Sequence, residues 1–229
     1  MDANTAAREA ILSRIRKALT ERGTASAARS EASRYVDAHA RGPQPVKTAD
    51  GIAQFVDQAV HMESTVERIA TLQDIPRAVA RYLDALELPA AIAEQRSHKG
   101  VCWPRFAQLD WRAAGLDIEA RPTTGGDRLG ITGCFCAIAE TGTLVLMTGA
   151  DSPTATALLP DTHIVVLSES GIVATMEDAF ARARRRDGRM PRGLHLISGP
   201  SRTGDIEQTI VLGAHGPYRV HVLLLPYAC

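Results

Sequence analysis

A cluster of anion-binding residue types lies near the C-terminus, in the segment GPSRTGDIE at 199–207. Its two hydroxyls and one guanidinium belong to Ser201, Arg202 and Thr203. These groups can grip a carboxylate or a phosphate, and the amides of a helix that we predict at 203–212 would complete the cradle. Asp205 falls in the first turn of that helix, where it uses the same positive end of the helix dipole. The alternative interpretation is an ordinary capped helix start without a ligand.

A second cluster, AETGT at 139–143, places one carboxylate and two hydroxyls between apolar runs. Glu140 could serve as a nucleophile or a general base, because apolar surroundings raise the pKa of a carboxyl group toward neutrality. The neighbouring Thr141, Gly142 and Thr143 could hold a carbonyl or phosphate oxygen. The alternative interpretation is a hairpin turn whose glutamate faces water.

Two histidines are candidate proton carriers, because imidazole changes its charge near neutral pH. His215 lies in GAHGP at 213–217, where the two glycines would let a ligand approach closely. His163 opens the apolar run HIVVLS. Each has an alternative interpretation: His215 is then an exposed loop residue, and His163 is a strand-end residue that is hydrogen-bonded to backbone.

Strands and helices alternate along the part of the chain that carries these residues. The predicted strands lie at about 64–70, 88–94, 116–121, 163–168, 193–198 and 219–225, with a hairpin formed by ITGCFCAIAE and TGTLVLMTG. The predicted helices lie at about 50–61, from Asp74 onward, at 175–186 and at 203–212. Several strands are continuously apolar, as in a parallel sheet that is buried on both faces. We therefore predict an α/β fold of three layers, α/β/α, around a mostly parallel sheet.

The N-terminal residues differ from this alternation. Residues 5–20 have the pattern of an amphipathic helix, whose apolar positions are Ile11, Leu12, Ile15 and Leu19. From 22 to 48 the composition shifts to Ala, Ser, Arg and Gly, which is typical of a linker. We therefore predict an N-terminal helix and linker arm at 1–48 and an α/β domain at 49–229. Such an arm could contact its own domain, a second subunit or another protein.

Charge and composition exclude several classes of function. Lys plus Arg and Asp plus Glu number 26 each, so no net charge draws the chain to nucleic acid or to an anionic membrane. The arginines within 182–186 are interpreted as the solvated end of a helix, where cations complement the dipole. No apolar run approaches the ~20 residues of a membrane span, and the N-terminus lacks the apolar core of a signal peptide. We expect a cytoplasmic protein with no nucleic-acid and no membrane partner.

The four cysteines are Cys102, Cys134, Cys136 and Cys229. Their spacing matches no zinc or iron–sulfur site, and reduced thiols are typical of the cytosol. We therefore expect no metal site and no cofactor in this chain. The alternative, redox or metal chemistry at Cys134 and Cys136, rests on their position beside the AETGT cluster.

Three successive motifs, GITGCFCAIAETGTLVLMTG, LLPDTHIVVL and ISGPSRTGDIEQTIVLGAHGP, resemble the lactate utilisation protein C family, whose members carry the LUD domain. The match in order and spacing spans about residues 125–226. The resemblance implies a fold akin to the NagB/RpiA/CoA-transferase group. The chain departs from the family pattern SRTADIE at Gly204, where alanine is expected.

The resemblance also implies a three-component system that oxidises L-lactate to pyruvate, in which the two partner proteins carry iron–sulfur clusters. This chain lacks a comparable cysteine set, so the implied role is that of an accessory or substrate-handling subunit with a small carboxylate as ligand. Two alternatives stay open. One is a stand-alone acyl-transfer or phosphosugar-type enzyme with Glu140 as nucleophile or base, and the other is a non-catalytic assembly module.

Overall fold

The computed structural model describes residues 3–21, 25–44, 49–86, 98–188, 190–206 and 209–226. The chain divides into two compact units, Met1–Gln44 and Pro45–Cys229. The strand predicted at 88–94 lies outside the described residues, as does Cys229. No helix in the described ranges is long and apolar enough to cross a membrane.

The first unit consists of two helices, Ala3–Glu21 (α1) and Ala25–Ala38 (α2). The helix predicted at 5–20 is therefore confirmed. The linker predicted at 22–48 instead contains α2, whose alanines and arginines have high helix propensity. Apolar side chains on α1 face solvent: Ile11, Ile15 and Leu19 are half or more exposed.

The second unit alternates strands and helices. Its helices are Gly51–His61 (α3), Ile75–Asp84 (α4), Ala155–Leu158 (α5) and Met176–Asp187 (α6). Its strands are Thr65–Arg68 (β1), Lys99–Cys102 (β2), Asp117–Glu119 (β3), Leu129–Gly133 (β4), Cys136–Ile138 (β5), Thr143–Met147 (β6), Thr162–Ser168 (β7), Ile172–Val173 (β8), Leu194–Ile197 (β9), Arg202–Ile206 (β10), Thr209–Leu212 (β11) and Arg219–Leu225 (β12).

Six of these strands form a parallel sheet in the order β1-β12-β7-β4-β2-β3. Its central strands β4, β7 and β12 are buried along almost their whole length, as their continuous apolar sequences predict. The α/β fold around a mostly parallel sheet is thus confirmed. The connection after β2 leads to its neighbour β3, whereas the chain after β4 returns to β7 on the other side.

A second sheet has the order β8-β5-β6-β9. The predicted hairpin is confirmed in part, because β5 and β6 pair antiparallel around the turn that contains Gly142. The start of that motif instead belongs to β4 in the parallel sheet. The helix predicted at 175–186 is confirmed as α6, and the Thr175 hydroxyl accepts a hydrogen bond from the Asp178 amide at its first turn.

The helix predicted at 203–212 is wrong, because β10 and β11 pair there as an antiparallel hairpin. The segment is rich in β-branched residues: Thr203, Ile206, Thr209, Ile210 and Val211. Their stiff side chains favour the extended backbone over the helix. Gly213, with φ of 75°, consequently follows a strand and does not end a helix.

Candidate functional site

The predicted anion cradle lacks the helix N-terminus on which it depended. Arg202 instead forms an ion pair with Glu63, just after α3. The Ser201 amide donates to the carbonyl of Pro217 at 2.9 Å, and the Ser201 carbonyl accepts from the Gly213 amide at 2.9 Å. Thr203 is buried, and Asp205 lies farther along β10. Several polar groups of this loop are therefore already bonded to other groups of the chain.

Glu140 is half-buried at the start of the β5–β6 turn and contacts the N-terminus of α6. Its Oε1 atom accepts a hydrogen bond from the Met176 amide at 2.8 Å. Its own amide donates to the Ala174 carbonyl at 3.2 Å. A carboxylate at this end of a helix is stabilised by the dipole and by the otherwise unpaired amide. The geometry gives Glu140 the function of a helix cap.

The rest of the AETGT cluster packs against α3 and contacts Ser198, just before the 199–207 segment. The Thr143 hydroxyl lies 2.7 Å from that of Thr141 and 2.6 Å from that of Ser198. Gly142 has φ of 64°, and a Cβ atom there would lie 2.4 Å from the Ala59 nitrogen of α3. The Thr143–Ser198 contact thus places the AETGT cluster beside the residue that immediately precedes the 199–207 segment.

The predicted proton carriers are dispersed. His163 is fully buried in β7, between Gly130 of β4 and Val220 of β12. Its Nε2 atom lies 2.8 Å from the Thr132 hydroxyl, and burial lowers its pKa to about 3. His215 is exposed in the turn after β11. Among the described residues, no contact joins these histidines to each other or to Glu140.

A pocket that the sequence did not predict lies at the carboxyl ends of β2 and β4. These strands are neighbours whose onward connections run in opposite directions, which is the point where parallel α/β sheets usually bind ligands. The pocket has a volume of about 290 Å³, and we call it the switch-point pocket. Its lining residues are Trp103, Arg105, Cys134, Phe135, Met147, Asp151, Ser152 and Arg186.

Two side chains that follow β2 shape the switch-point pocket. Arg105 lies directly over the end of β4, where a Cβ atom on Gly133 would be 2.9 Å from its Nη1 atom. The Trp103 indole donates to the Pro153 carbonyl at 3.2 Å, which attaches the loop before α5 to this edge of the sheet. Arg186, from the last turn of α6, brings a second guanidinium, and its Nη1 atom lies 4.0 Å from the Met147 sulfur.

A larger cavity adjoins this pocket, and we call it the β9 cavity. It has a volume of about 840 Å³. Its lining residues are Met147, Thr148, Gly149, Ser152, Arg186, Met190, Pro191, Arg192 and Gly193. Three of them, Met147, Ser152 and Arg186, also line the switch-point pocket.

The cysteines at this edge of the sheet are protonated at neutral pH. Burial raises the pKa of the Cys102 and Cys136 thiols to about 11 and that of the Cys134 thiol to about 12. The Cys134 thiol donates to the Cys136 carbonyl at 2.7 Å. Thiolates, and not thiols, bind metals and act as nucleophiles. Within the described ranges, no group of three His, Cys, Asp or Glu residues could hold a metal ion.

The sequence contained a weak signal for the switch-point pocket. Residues VCWPR at 101–105 are an apolar run that ends in an arginine, but the run was included in a connection between predicted strands. Assignment of β2 would have placed Arg105 at a carboxyl strand end. The interpretation of 182–186 as a solvated helix end likewise assigns no ligand-binding role to Arg186, which lines the pocket.

Comparison with known proteins agrees with this architecture. A family model described as the LUD domain matches residues 52–225, nearly all of the α/β unit. The chain belongs to the LUD domain family. The matched range of this LUD domain contains both the switch-point pocket and the β9 cavity.

Several relatives of this LUD protein are named Lactate utilization protein C. The one from Deinococcus radiodurans is 33% identical over 193 residues, which cover 80% of this chain and 83% of the relative. The one from Bacillus subtilis is 35% identical over 142 residues, 53% of this chain and 59% of the relative. The fold is also similar to a crystal structure of a DUF162 family protein from Deinococcus radiodurans, with 26% identity and a TM-score of 0.54. The match covers 79% of this chain and 99% of the chain in that structure.

Proposed function

We propose that this LUD protein is the substrate-handling subunit of a system that oxidises L-lactate to pyruvate, and that the switch-point pocket holds the substrate. The names of its relatives support a role in lactate utilisation. The observation that carries the proposal is the pair of guanidiniums, Arg105 and Arg186, in a small pocket at the switch point of the sheet.

The lining of the switch-point pocket suits a 2-hydroxy acid. Arginine binds a carboxylate through two parallel hydrogen bonds, which fixes the orientation of a small substrate. Trp103 and Phe135 provide an apolar wall for its methyl group. The Asp151 carboxylate can accept the proton of the substrate hydroxyl, as a base within reach of that group would. The chain thereby binds the substrate and orients its reactive carbon.

The oxidation also needs an electron acceptor. Conversion of a 2-hydroxy acid to a 2-oxo acid releases two electrons and two protons. We propose that two iron–sulfur proteins take these electrons, as the resemblance to the lactate utilisation protein C family implies. Asp151 would accept the hydroxyl proton, and the carbon-bound hydrogen would leave as a second proton to solvent while the two electrons pass one at a time to the iron–sulfur proteins. The partners thus supply the redox chemistry, and this chain supplies the substrate site.

Reconstitution tests the proposal. Lactate-dependent reduction of a dye is measured with this protein alone, with the two iron–sulfur proteins alone and with all three. We expect activity only from the complete set. Arg105→Gln should lower kcat/KM at least tenfold, because a hydrogen-bonded charge pair is worth about 1.5–3 kcal/mol. Arg112→Gln, a change at an exposed arginine in the same connection, serves as the matched control.

Two outcomes would contradict the proposal. In one, the iron–sulfur proteins reach full activity without this chain. In the other, Arg105→Gln and Arg112→Gln behave alike. If the complex needs this chain but tolerates Arg105→Gln, a non-catalytic assembly module is the better account. The exposed apolar side chains of Ile11, Ile15 and Leu19 on α1 favour that second candidate.

A further inference from the structure

The β9 cavity is much larger than a three-carbon acid requires. Its volume of about 840 Å³ falls in the range of sites for cofactor-sized molecules, about 300–1,000 Å³. It opens beside the switch-point pocket and shares Met147, Ser152 and Arg186 with it. A small substrate in the switch-point pocket would leave most of the β9 cavity for another ligand.

The polar groups of the β9 cavity suit a polyanion. Arg186 comes from the last turn of α6, and Arg192 comes from the segment before β9. None of the described residues that line the cavity is acidic. Guanidinium groups in such a setting are the usual partners of phosphate, which they bind through paired hydrogen bonds.

One lining residue of the β9 cavity, Thr148, has a hydrogen-bonded hydroxyl group. The Thr148 hydroxyl is 2.7 Å from that of Thr154 and 3.2 Å from Nε2 of His195. Gly193 allows this close packing, because a Cβ atom there would lie 2.6 Å from the Thr148 oxygen. Thr148 is therefore held by two partners in the cavity wall.

The remaining wall is apolar. Met147, Met190 and Pro191 line it, and Met190 is 40% exposed. Methionine side chains are flexible and polarisable, and they pack well against flat aromatic rings. The cavity thus combines two cations and a hydroxyl with a surface for a planar apolar group.

We propose that the β9 cavity binds an organic phosphate of nucleotide size, with its phosphates on Arg186 and Arg192 and its ring against Met147 and Met190. The shared Arg186 couples this site to the switch-point pocket, so that the second ligand would adjust the position of a substrate-binding guanidinium. The site does not depend on the identity of the small acid in the switch-point pocket.

Calorimetric titration of the full chain with ADP tests this inference, with adenosine and pyrophosphate as separate ligands. We expect saturable ADP binding that is at least tenfold tighter than that of adenosine or pyrophosphate. Arg192→Gln should weaken ADP binding at least tenfold. Arg185→Gln, at an exposed neighbour on α6, is the matched control and should change ADP binding less than twofold.

Binding of ADP and of L-lactate, measured in the same two variants, distinguishes the β9 cavity from the switch-point pocket. Arg105→Gln should weaken L-lactate binding and leave ADP binding unchanged, whereas Arg192→Gln should do the reverse. Absence of saturable ADP binding, or equal ADP affinity in the wild type and Arg192→Gln, would overturn the inference. Pyrophosphate binding as tight as that of ADP would overturn the assignment of the apolar wall. The outcomes that would overturn the inference concern ADP and pyrophosphate alone, so they do not depend on whether L-lactate binds.

Discussion

Two buried histidines predict that the stability of this protein depends on pH. Besides His163, His221 in β12 is buried, and its ring stacks on Tyr82 at a centroid distance of 4.1 Å. The His221 Nδ1 atom is 2.7 Å from the Thr65 hydroxyl. Burial lowers the pKa of His221 to about 4, although the nearby Glu67 acts in the opposite direction. Both rings are therefore neutral in the folded protein near pH 7.

This neutrality predicts a loss of stability in mild acid. Below the ordinary histidine pKa of 6.5, these two histidines bind protons in the unfolded chain but stay neutral in the folded chain. The stability that is present above pH 6.5 therefore decreases as the pH falls toward the folded-state pKa values. Between pH 7.5 and 5 we expect the unfolding free energy to drop by roughly 2 kcal/mol for each histidine. Urea denaturation at both pH values measures this drop.

Variants assign the effect to the two rings. His163→Gln and His221→Gln should each show a smaller drop than the wild type, even where they are less stable at pH 7.5. His215→Gln, at an exposed histidine, should keep the full drop. An identical drop in all three variants would show that other groups cause the pH dependence.

Glu140 links the β5–β6 turn to α6. Glu140→Ala removes the acceptor for the Met176 amide and should cost about 1 kcal/mol of unfolding free energy, as the loss of a helix cap does. Glu140→Gln keeps an oxygen acceptor, so stability and lactate-dependent activity should stay close to wild type. Chemical denaturation and the reconstituted assay measure these two quantities. Loss of turnover in a folded Glu140→Gln protein would instead support the acyl-transfer alternative.

The same turn predicts an intolerant glycine. Gly142→Ala would place a Cβ atom against the backbone of α3 at a positive φ, so we expect a loss of roughly 2–4 kcal/mol in unfolding free energy. Gly204→Ala, in β10, is the matched control because its Cβ would meet open space. It should not destabilise the protein. Thermal denaturation of the two variants compares them, and equal stability would contradict the packing of the turn on α3.

The elements that were predicted correctly are those with a strong local pattern. A few residues are enough to predict β7, from its continuous apolar run, and the start of α6, from its capping residue. The hairpin of β10 and β11 is harder to predict, because its Gly and Pro neighbours resemble a helix start although its β-branched residues favour strands. The strand β2 has only four residues, too few for a clear alternation.

The candidate site was harder to predict, because it depends on which strands become neighbours. Arg105 and Gly133 lie far apart in sequence and meet only because β2 and β4 pair. Arg186 lines the same pocket and lies at the C-terminal end of α6, whereas Glu140 caps the N-terminal end of that helix. The sequence does single out AETGT and the 199–207 segment, and the structure places AETGT against Ser198, the residue just before that segment.

At the scale of the whole molecule, the parallel sheet provides the rigid base on which the chemistry is proposed to occur. The carboxyl ends of β2 and β4 present arginine, aromatic and acidic side chains within one pocket, and the larger β9 cavity adjoins it. We propose that this chain holds the small acid in the switch-point pocket, where it binds L-lactate, and that its partners carry the electrons.

Titration of L-lactate into the isolated protein, followed by ligand-observed saturation-transfer NMR, measures this binding. We expect saturable binding to the wild type and to Arg112→Gln, and at least tenfold weaker binding to Arg105→Gln. Equal binding to the two variants, or no saturable binding to any of them, would contradict the assignment of the switch-point pocket as the lactate site.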